Sequence, residues 1–197
     1  MAAALFLTTY NLAENRQAEE AVRSAAEQLE KRLSDHAKET ASEKKVSYEG
    51  QETEQEIPDY ILNPDMEMPV EQMNGWEYVG VLQIPDLGLE LSVMSSWSYP
   101  QLRISPCRYS GSAYNGNLII AAHNYQSHFG RLQELTEGSH IIFTDMDGNQ
   151  FQYEVVVRET LFPTDVEEME SEEWDLTLFT CTVGGQYRVT VRCSKTE

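Results

Sequence analysis

The chain predicts a mostly β fold: a small closed barrel of about eight strands with short helices, behind an N-terminal helical extension. Three observations carry this. From Gly75 onward the chain falls into short runs in which apolar and polar residues alternate, the pattern of half-buried strands. Gly, Pro and Asn/Asp residues separate the runs, and helical periodicity is rare there. Two pairs of runs are joined by hairpin signals, Asp147-Gly148 and Gly184-Gly185.

Ahead of the barrel, residues 11–33 read as a helix. Val22, Ala25 or Ala26, Leu29 and Leu33 recur at three- and four-residue steps among good helix formers. The stripe is narrow and Ala-rich, as for a stalk or a docking helix. Residues 34–74 turn polar and then proline-punctuated, and read as an extended linker. Its apolar patch Ile57-Pro58-Asp59-Tyr60-Ile61-Leu62 belongs either to that linker or to the surface of the barrel. Residues 75–197 form the domain proper.

Within it, Trp76–Ile84 and Leu87–Val93 alternate on either side of a Pro-Asp turn. Trp97–Leu102 reads as a short helical crossover, and Asn117–Ala122 as a strand ending at His123. A loop and a short helix follow to Leu135. His140–Asp145 and Gln150–Val157 make a hairpin around Asp147-Gly148. Residues 158–175 connect to the last hairpin and contain an acidic run from Asp165 to Glu173, which reads as a solvated helical surface.

The last hairpin holds the chemistry. With Gly184-Gly185 as a two-residue loop, Val183 opposes Gln186, Thr182 opposes Tyr187 and Cys181 opposes Arg188. Opposed residues share a face. Leu176, Leu178, Val189 and Val191 then point into the core, and Thr177, Phe179, Cys181, Arg188, Thr190 and Arg192 line a polar, partly open face. A thiol and a guanidinium stand side by side where a substrate can reach them. Arg192 shares that face beyond Arg188 and reads as a structural ion-pair residue.

Thr177-Leu178-Phe179-Thr180-Cys181, followed by Arg188-Val189-Thr190-Val191, resembles the sortases, the cysteine transpeptidases of Gram-positive cell surfaces, whose signature is T-L-x-T-C with an arginine opening the next strand. Their third residue, a histidine after a hydrophobic strand, is matched by His123 after Asn117-Leu118-Ile119-Ile120-Ala121-Ala122. The family more often has Gly where this chain has Ala122. Ile84-Pro85-Asp86-Leu87-Gly88-Leu89 through Val93 is similar to the phrase that opens the sortase barrel. The resemblance covers residues 76–193.

It implies that Cys181 attacks a peptide carbonyl to form a thioacyl enzyme. His123 protonates the leaving amine and then deprotonates the incoming one, Arg188 positions substrate and stabilises the oxyanion, and Thr180 contacts the substrate backbone. It implies surface proteins with a C-terminal LPXTG-like sorting signal as substrates, and a cell-wall precursor or pilin amine as acceptor. The place implied is the outer face of a Gram-positive membrane, held by an N-terminal helix missing from this chain. Ala2–Leu7 is apolar but far short of the roughly 18–20 residues that span a bilayer, as the tail of such a helix would be. Pilus-building sortases place a lid with an Asp-Pro-aromatic motif before the barrel, and that order is absent here. A hydrolytic cysteine peptidase of the same fold, or a non-catalytic β-barrel surface module, are the alternatives.

Other residues bound the function. The net charge of −19 makes nucleic acid an unsuitable partner, since phosphate binding needs clustered Lys and Arg. Cys107, Cys181 and Cys193 are too few and too irregular for a disulfide framework or a zinc site. A Cys107–Cys193 disulfide that spares Cys181 stays open. No cofactor is expected. Some sortases bind calcium near the acidic loop, but the run here lacks the spacing of a calcium loop. His128, five residues past His123, is a weak substitute base, and His140 and His36 read as exposed and without function.

Overall fold

The computed structural model describes residues 16, 18–35, 38 and 57–196. The apolar stretch 2–7, His36 and most of the polar linker lie outside the described residues.

Among the described residues, nine strands are ordered β1-β2-β3-β4-β5-β8-β9-β7-β6, and β6 pairs back onto β2. The eight strands β2 (Trp76–Ile84), β3 (Leu89–Met94), β4 (Cys107–Ser110), β5 (Leu118–Ala121), β6 (His140–Asp145), β7 (Gln150–Leu161), β8 (Leu176–Cys181) and β9 (Arg188–Lys195) therefore close into a barrel. Closure removes the unpaired edges that an open sheet would expose. Two pairings are parallel, β3–β4 and β5–β8, and the rest are antiparallel.

The β5–β8 pair decides where the chemistry sits. Leu118 lies beside Leu176, and the register runs on to Ala121 beside Phe179. Parallel strands bring their C-terminal ends to the same rim, and one ends just before His123 while the other ends at Cys181. Alternation along each strand fills the interior. Leu118 and Ile120 of β5, Leu176 and Leu178 of β8, and Val191 and Cys193 of β9 are fully buried in one cluster with residues of β2, β3, β6 and β7.

A second cluster lies outside the barrel wall, where Tyr78, Val81, Met94 and Cys107 meet Ala25 and Leu29. These last belong to the N-terminal helix, α1, helical over residues 18–35. Its buried residues Ala18, Val22, Ala25, Ala26 and Leu29 follow the three- and four-residue spacing of the sequence. Small alanines let the helix approach closely, and Arg32 pairs with Glu71 at its end. The helix docks; it is not a stalk.

The barrel domain begins earlier than its sequence boundary. Residues 57–74, read as linker, contain the short helix α2 (Asp59–Leu62) and strand β1 (Glu71–Met73). Tyr60 stacks on Tyr114 at 4.7 Å, and Met68 and Met73 are buried. Strand β1 turns into β2 through Asn74 and Gly75, both with positive φ, so that Met73 opposes Trp76. That is a two-residue hairpin with the residues such a turn favours. The helical crossover is α3 (Tyr99–Leu102), capped by Ser98, and the acidic run forms α4 (Val166–Met169).

Candidate active site

Cys181 and Arg188 are register partners at the open end of the β8–β9 ladder, and both are half-buried. The connection between them differs from a two-residue loop. Thr182 and Tyr187 close the ladder: Thr182 N–H donates to the Tyr187 carbonyl at 2.9 Å, and Tyr187 N–H donates to Thr182 Oγ1 at 3.1 Å. Beyond them a turn runs from Thr182 to Gly185, with both glycines at positive φ. Val183 and Gln186 do not pair. The Cys181–Arg188 register survives because the Thr182–Tyr187 pair sets it.

Arg188 donates through Nη1 to the carbonyls of Gly185 and Tyr187, each at 3.2 Å. Its Nε–Nη2 edge makes no hydrogen bond among the described residues, which leaves two donors of fixed geometry on the residue opposite Cys181 in the ladder. Cys181 is the one cysteine that is not buried; Cys107 and Cys193 are fully buried, and burial pushes both thiols up to about 12. All three are free thiols, so no Cys107–Cys193 disulfide is present. Those two sit on opposite sides of the barrel wall, one in each buried cluster.

His123 lies two residues past the end of β5, on the rim where the parallel strand β8 ends at Cys181. Its backbone is tied from both sides. Ala122 N–H donates to the Phe179 carbonyl at 3.2 Å, and the Ala122 carbonyl accepts from Thr180 Oγ1 at 2.8 Å. Phe129 N–H returns to the His123 carbonyl at 3.2 Å, while Gly130 N–H bonds the Tyr125 carbonyl. A Cβ on Gly130 would come within 2.6 Å of the Asn124 carbonyl oxygen and 2.7 Å of that of Tyr125, so only glycine fits the return. The Tyr125 ring lies 5.0 Å from His123.

The remaining sequence candidates separate cleanly. The Thr180 side chain is buried between β5 and β8, so any contact it makes with substrate runs through its backbone. His128 is fully buried 5.3 Å from the Tyr125 ring; burial, then the neighbouring His123, lowers its pKa to about 4. It is neutral at pH 7 and shut away from solvent. His140 is exposed, 3.8 Å from Glu154.

The face that carries Cys181 is less open than strand alternation alone implies. Thr177, Thr190 and Arg192 lie on it and are buried, and the segment around Glu168 and Met169 lies against Arg192. Arg192 is the fastening. It bonds Glu159 at 2.7 Å, Thr177 Oγ1 at 3.0 Å, the Met169 carbonyl at 3.1 Å and the Glu168 carbonyl. Only Phe179, Cys181 and Arg188 keep part of their surface. Among the described residues no three His, Cys, Asp or Glu side chains gather as a metal site would require.

A model of the Sortase domain matches residues 82–196, more than half of the chain. The chain belongs to the sortase family. Family members are cysteine transpeptidases of Gram-positive cell surfaces. Solved sortases share the fold at low identity. A Clostridium perfringens sortase D5 transpeptidase is 22% identical with a TM-score of 0.55, over 64% of this chain and 83% of its own. Sortase C from Clostridium perfringens SM101 is 19% identical with a TM-score of 0.55, over 90% and 99%. A lid mutant of sortase A from Corynebacterium diphtheriae is 19% identical with a TM-score of 0.54, over 70% and 75%. No curated protein matches the sequence. Among the described residues, no helix of this sortase is long and apolar enough to cross a membrane.

Two features near the site escape strand patterning. Tyr125 follows a strand end, where period two gives no orientation. The row Phe179, Tyr109 and Trp97 comes from three separate segments that only barrel closure brings together.

Proposed function

We propose that this sortase cleaves an LPXTG-like sorting signal through a thioacyl intermediate on Cys181 and passes the acyl part to an amine. The observation that supports this best is the grouping of one accessible thiol, a cross-strand guanidinium and a histidine on the same barrel rim. The sulfur of Cys181, as thiolate, bonds the carbonyl carbon of the scissile peptide. The oxyanion meets the Nε–Nη2 edge of Arg188. The C–N bond breaks as His123 gives its proton to the departing amine. An incoming amine then loses a proton to His123 and attacks the thioester carbon, and the thiolate leaves.

The substrates are surface proteins bearing such a signal, the acceptor is a cell-wall precursor or pilin amine, and the setting is the outer face of a Gram-positive membrane. Thr180 serves substrate through its backbone. The steps use side chains alone, without cofactor, so EDTA leaves the rate unchanged. The test is mass spectrometry of the protein after incubation with a sorting-signal peptide library. A thioester adduct on the wild type, absent in Cys181→Ala, is expected. His123→Ala and Arg188→Ala each lower turnover about 1,000-fold or more while the melting temperature holds. Product with water in place of added amine would make the protein a hydrolase. No adduct from any peptide would sink the enzymatic reading.

A further inference from the structure

On the face that carries Cys181, four aromatic rings form a connected row. Phe179, two residues before the cysteine, meets Tyr109 edge-on at 5.3 Å; Tyr109 stacks on Trp97 at 5.6 Å; Trp97 meets Tyr99 at 6.2 Å. The row ends in solvent, with Trp97 42% and Tyr99 74% exposed. Large aromatic surface left exposed in a contiguous row is a contact surface waiting for a partner. Its outer end borders a cavity of about 560 Å³ lined by Trp97, Tyr109, Asp65, Glu67 and Arg108.

The charge there is negative. Burial, and then the neighbouring Glu170 carboxylate of the acidic segment, raise the pKa of the Tyr109 hydroxyl. Arg108, the one cation among the described residues that line the cavity, is engaged with the Ser95 carbonyl at 2.9 Å and with Glu67 at 3.8 Å. Glu67 keeps 90% of its side-chain surface. A ring face flanked by carboxylates favours an ammonium or guanidinium group, through ring quadrupole and charge together.

We propose that the row is a subsite for the acyl side of the substrate peptide and selects a Lys or Arg there. This rests on the transpeptidase reading and names what its substrate carries. From Phe179 the row crosses β5 to Tyr109 of β4, level with residues 119–121 and so set back from the rim where His123 must meet the departing and incoming amines. The acyl part is also the part that stays bound through both steps. Two residues of strand, about 7 Å, separate Cys181 from Phe179, and ring-to-ring steps of 5.3 and 5.6 Å lead on to Trp97, a path that about five residues of extended peptide cover. The basic residue therefore stands about five positions before the scissile carbonyl, upstream of the sorting motif.

The experiment uses paired peptides with one sorting motif, bearing Lys or Glu at the fifth to seventh position before the cleaved bond, and a truncated peptide lacking these positions. Acylation kcat/KM of the wild type, and binding of the same peptides to Cys181→Ala by calorimetry, are measured. Lys is expected to exceed Glu about ten-fold in both assays. In Trp97→Ala and in Tyr99→Ala, whose exposed ring can be removed without touching the core, the ratio of Lys-bearing to truncated peptide falls about five-fold. Equal Lys and Glu peptides, or variants that leave the ratio at its wild-type value, overturn the subsite. So does selectivity that appears only for the attacking amine, which would give the row to the acceptor. Binding selectivity without any acylation would instead refute the transpeptidase reading and leave the subsite standing.

Discussion

The Thr180 hydroxyl donates to the Ala122 carbonyl across 2.8 Å, and this one bond joins the residue before the cysteine to the residue before the histidine. Both partners are buried. The T-C pair of the motif thus has a structural reason of its own: it fixes the spacing of the two strand ends that lead to Cys181 and His123.

Replacing Thr180 by Val keeps the shape and deletes the donor, stranding a buried carbonyl. A loss of about 1–3 kcal/mol in stability is expected, with a larger relative fall in kcat than in kcat of Thr180→Ser, which keeps the donor. Chemical denaturation and acylation kinetics of the two variants check it.

Gly130 is the second device that holds His123. Gly130→Ala must push back the Asn124 and Tyr125 carbonyls, which shifts the turn that carries the imidazole. Displacements of about 1 Å cost on the order of 100-fold in rate. Turnover should fall by about that factor while circular dichroism remains that of a folded barrel.

Thiol chemistry separates the cysteines. Cys107 and Cys193, held up to about 12 by burial, stay protonated and inaccessible at pH 8. Brief alkylation of the folded protein should add one label, lost in Cys181→Ala, and alkylation of the unreduced, denatured protein should add three.

Acid sensitivity follows from His128. Its folded pKa, about 4, lies below the unfolded value of 6.5, so the unfolded chain binds the extra proton between those values. Stability from this residue is present above about pH 6.5 and is lost as pH falls towards 4. Between pH 7 and pH 5 this amounts to about 2 kcal/mol. His128→Phe should flatten that part of the stability curve relative to wild type, as read by urea denaturation at each pH.

Much of this was legible in the residues. Alternation placed Leu176, Leu178 and Val191 inside the barrel and Cys181 and Arg188 on its other face, since period two admits no other arrangement once the register is known. The Asn74-Gly75 hairpin was equally legible, but the prolines around it drew β1 into a linker. What the strand pattern cannot hold is which non-neighbouring strands meet. The parallel β5–β8 pairing joins segments more than fifty residues apart, and period two is silent on it; only the resemblance of His123 to a family motif pointed there. Burial of Arg192 was hidden for a related reason. Alternation reports the face of a strand and not what lies over it, here the segment around Glu168 and Met169.

The Thr182–Tyr187 pair separates two jobs that a tight hairpin would merge. The backbone register that keeps Cys181 and Arg188 opposite each other is set by that pair and the ladder behind it, whereas Val183, at 95% exposure, belongs to the tip. The tip is therefore a place where sequence can drift, lengthen or accept a grafted segment at little thermodynamic cost. Arg188 sets the limit, since it leans on the Gly185 carbonyl. New specificity can be built there provided one carbonyl is returned to that guanidinium.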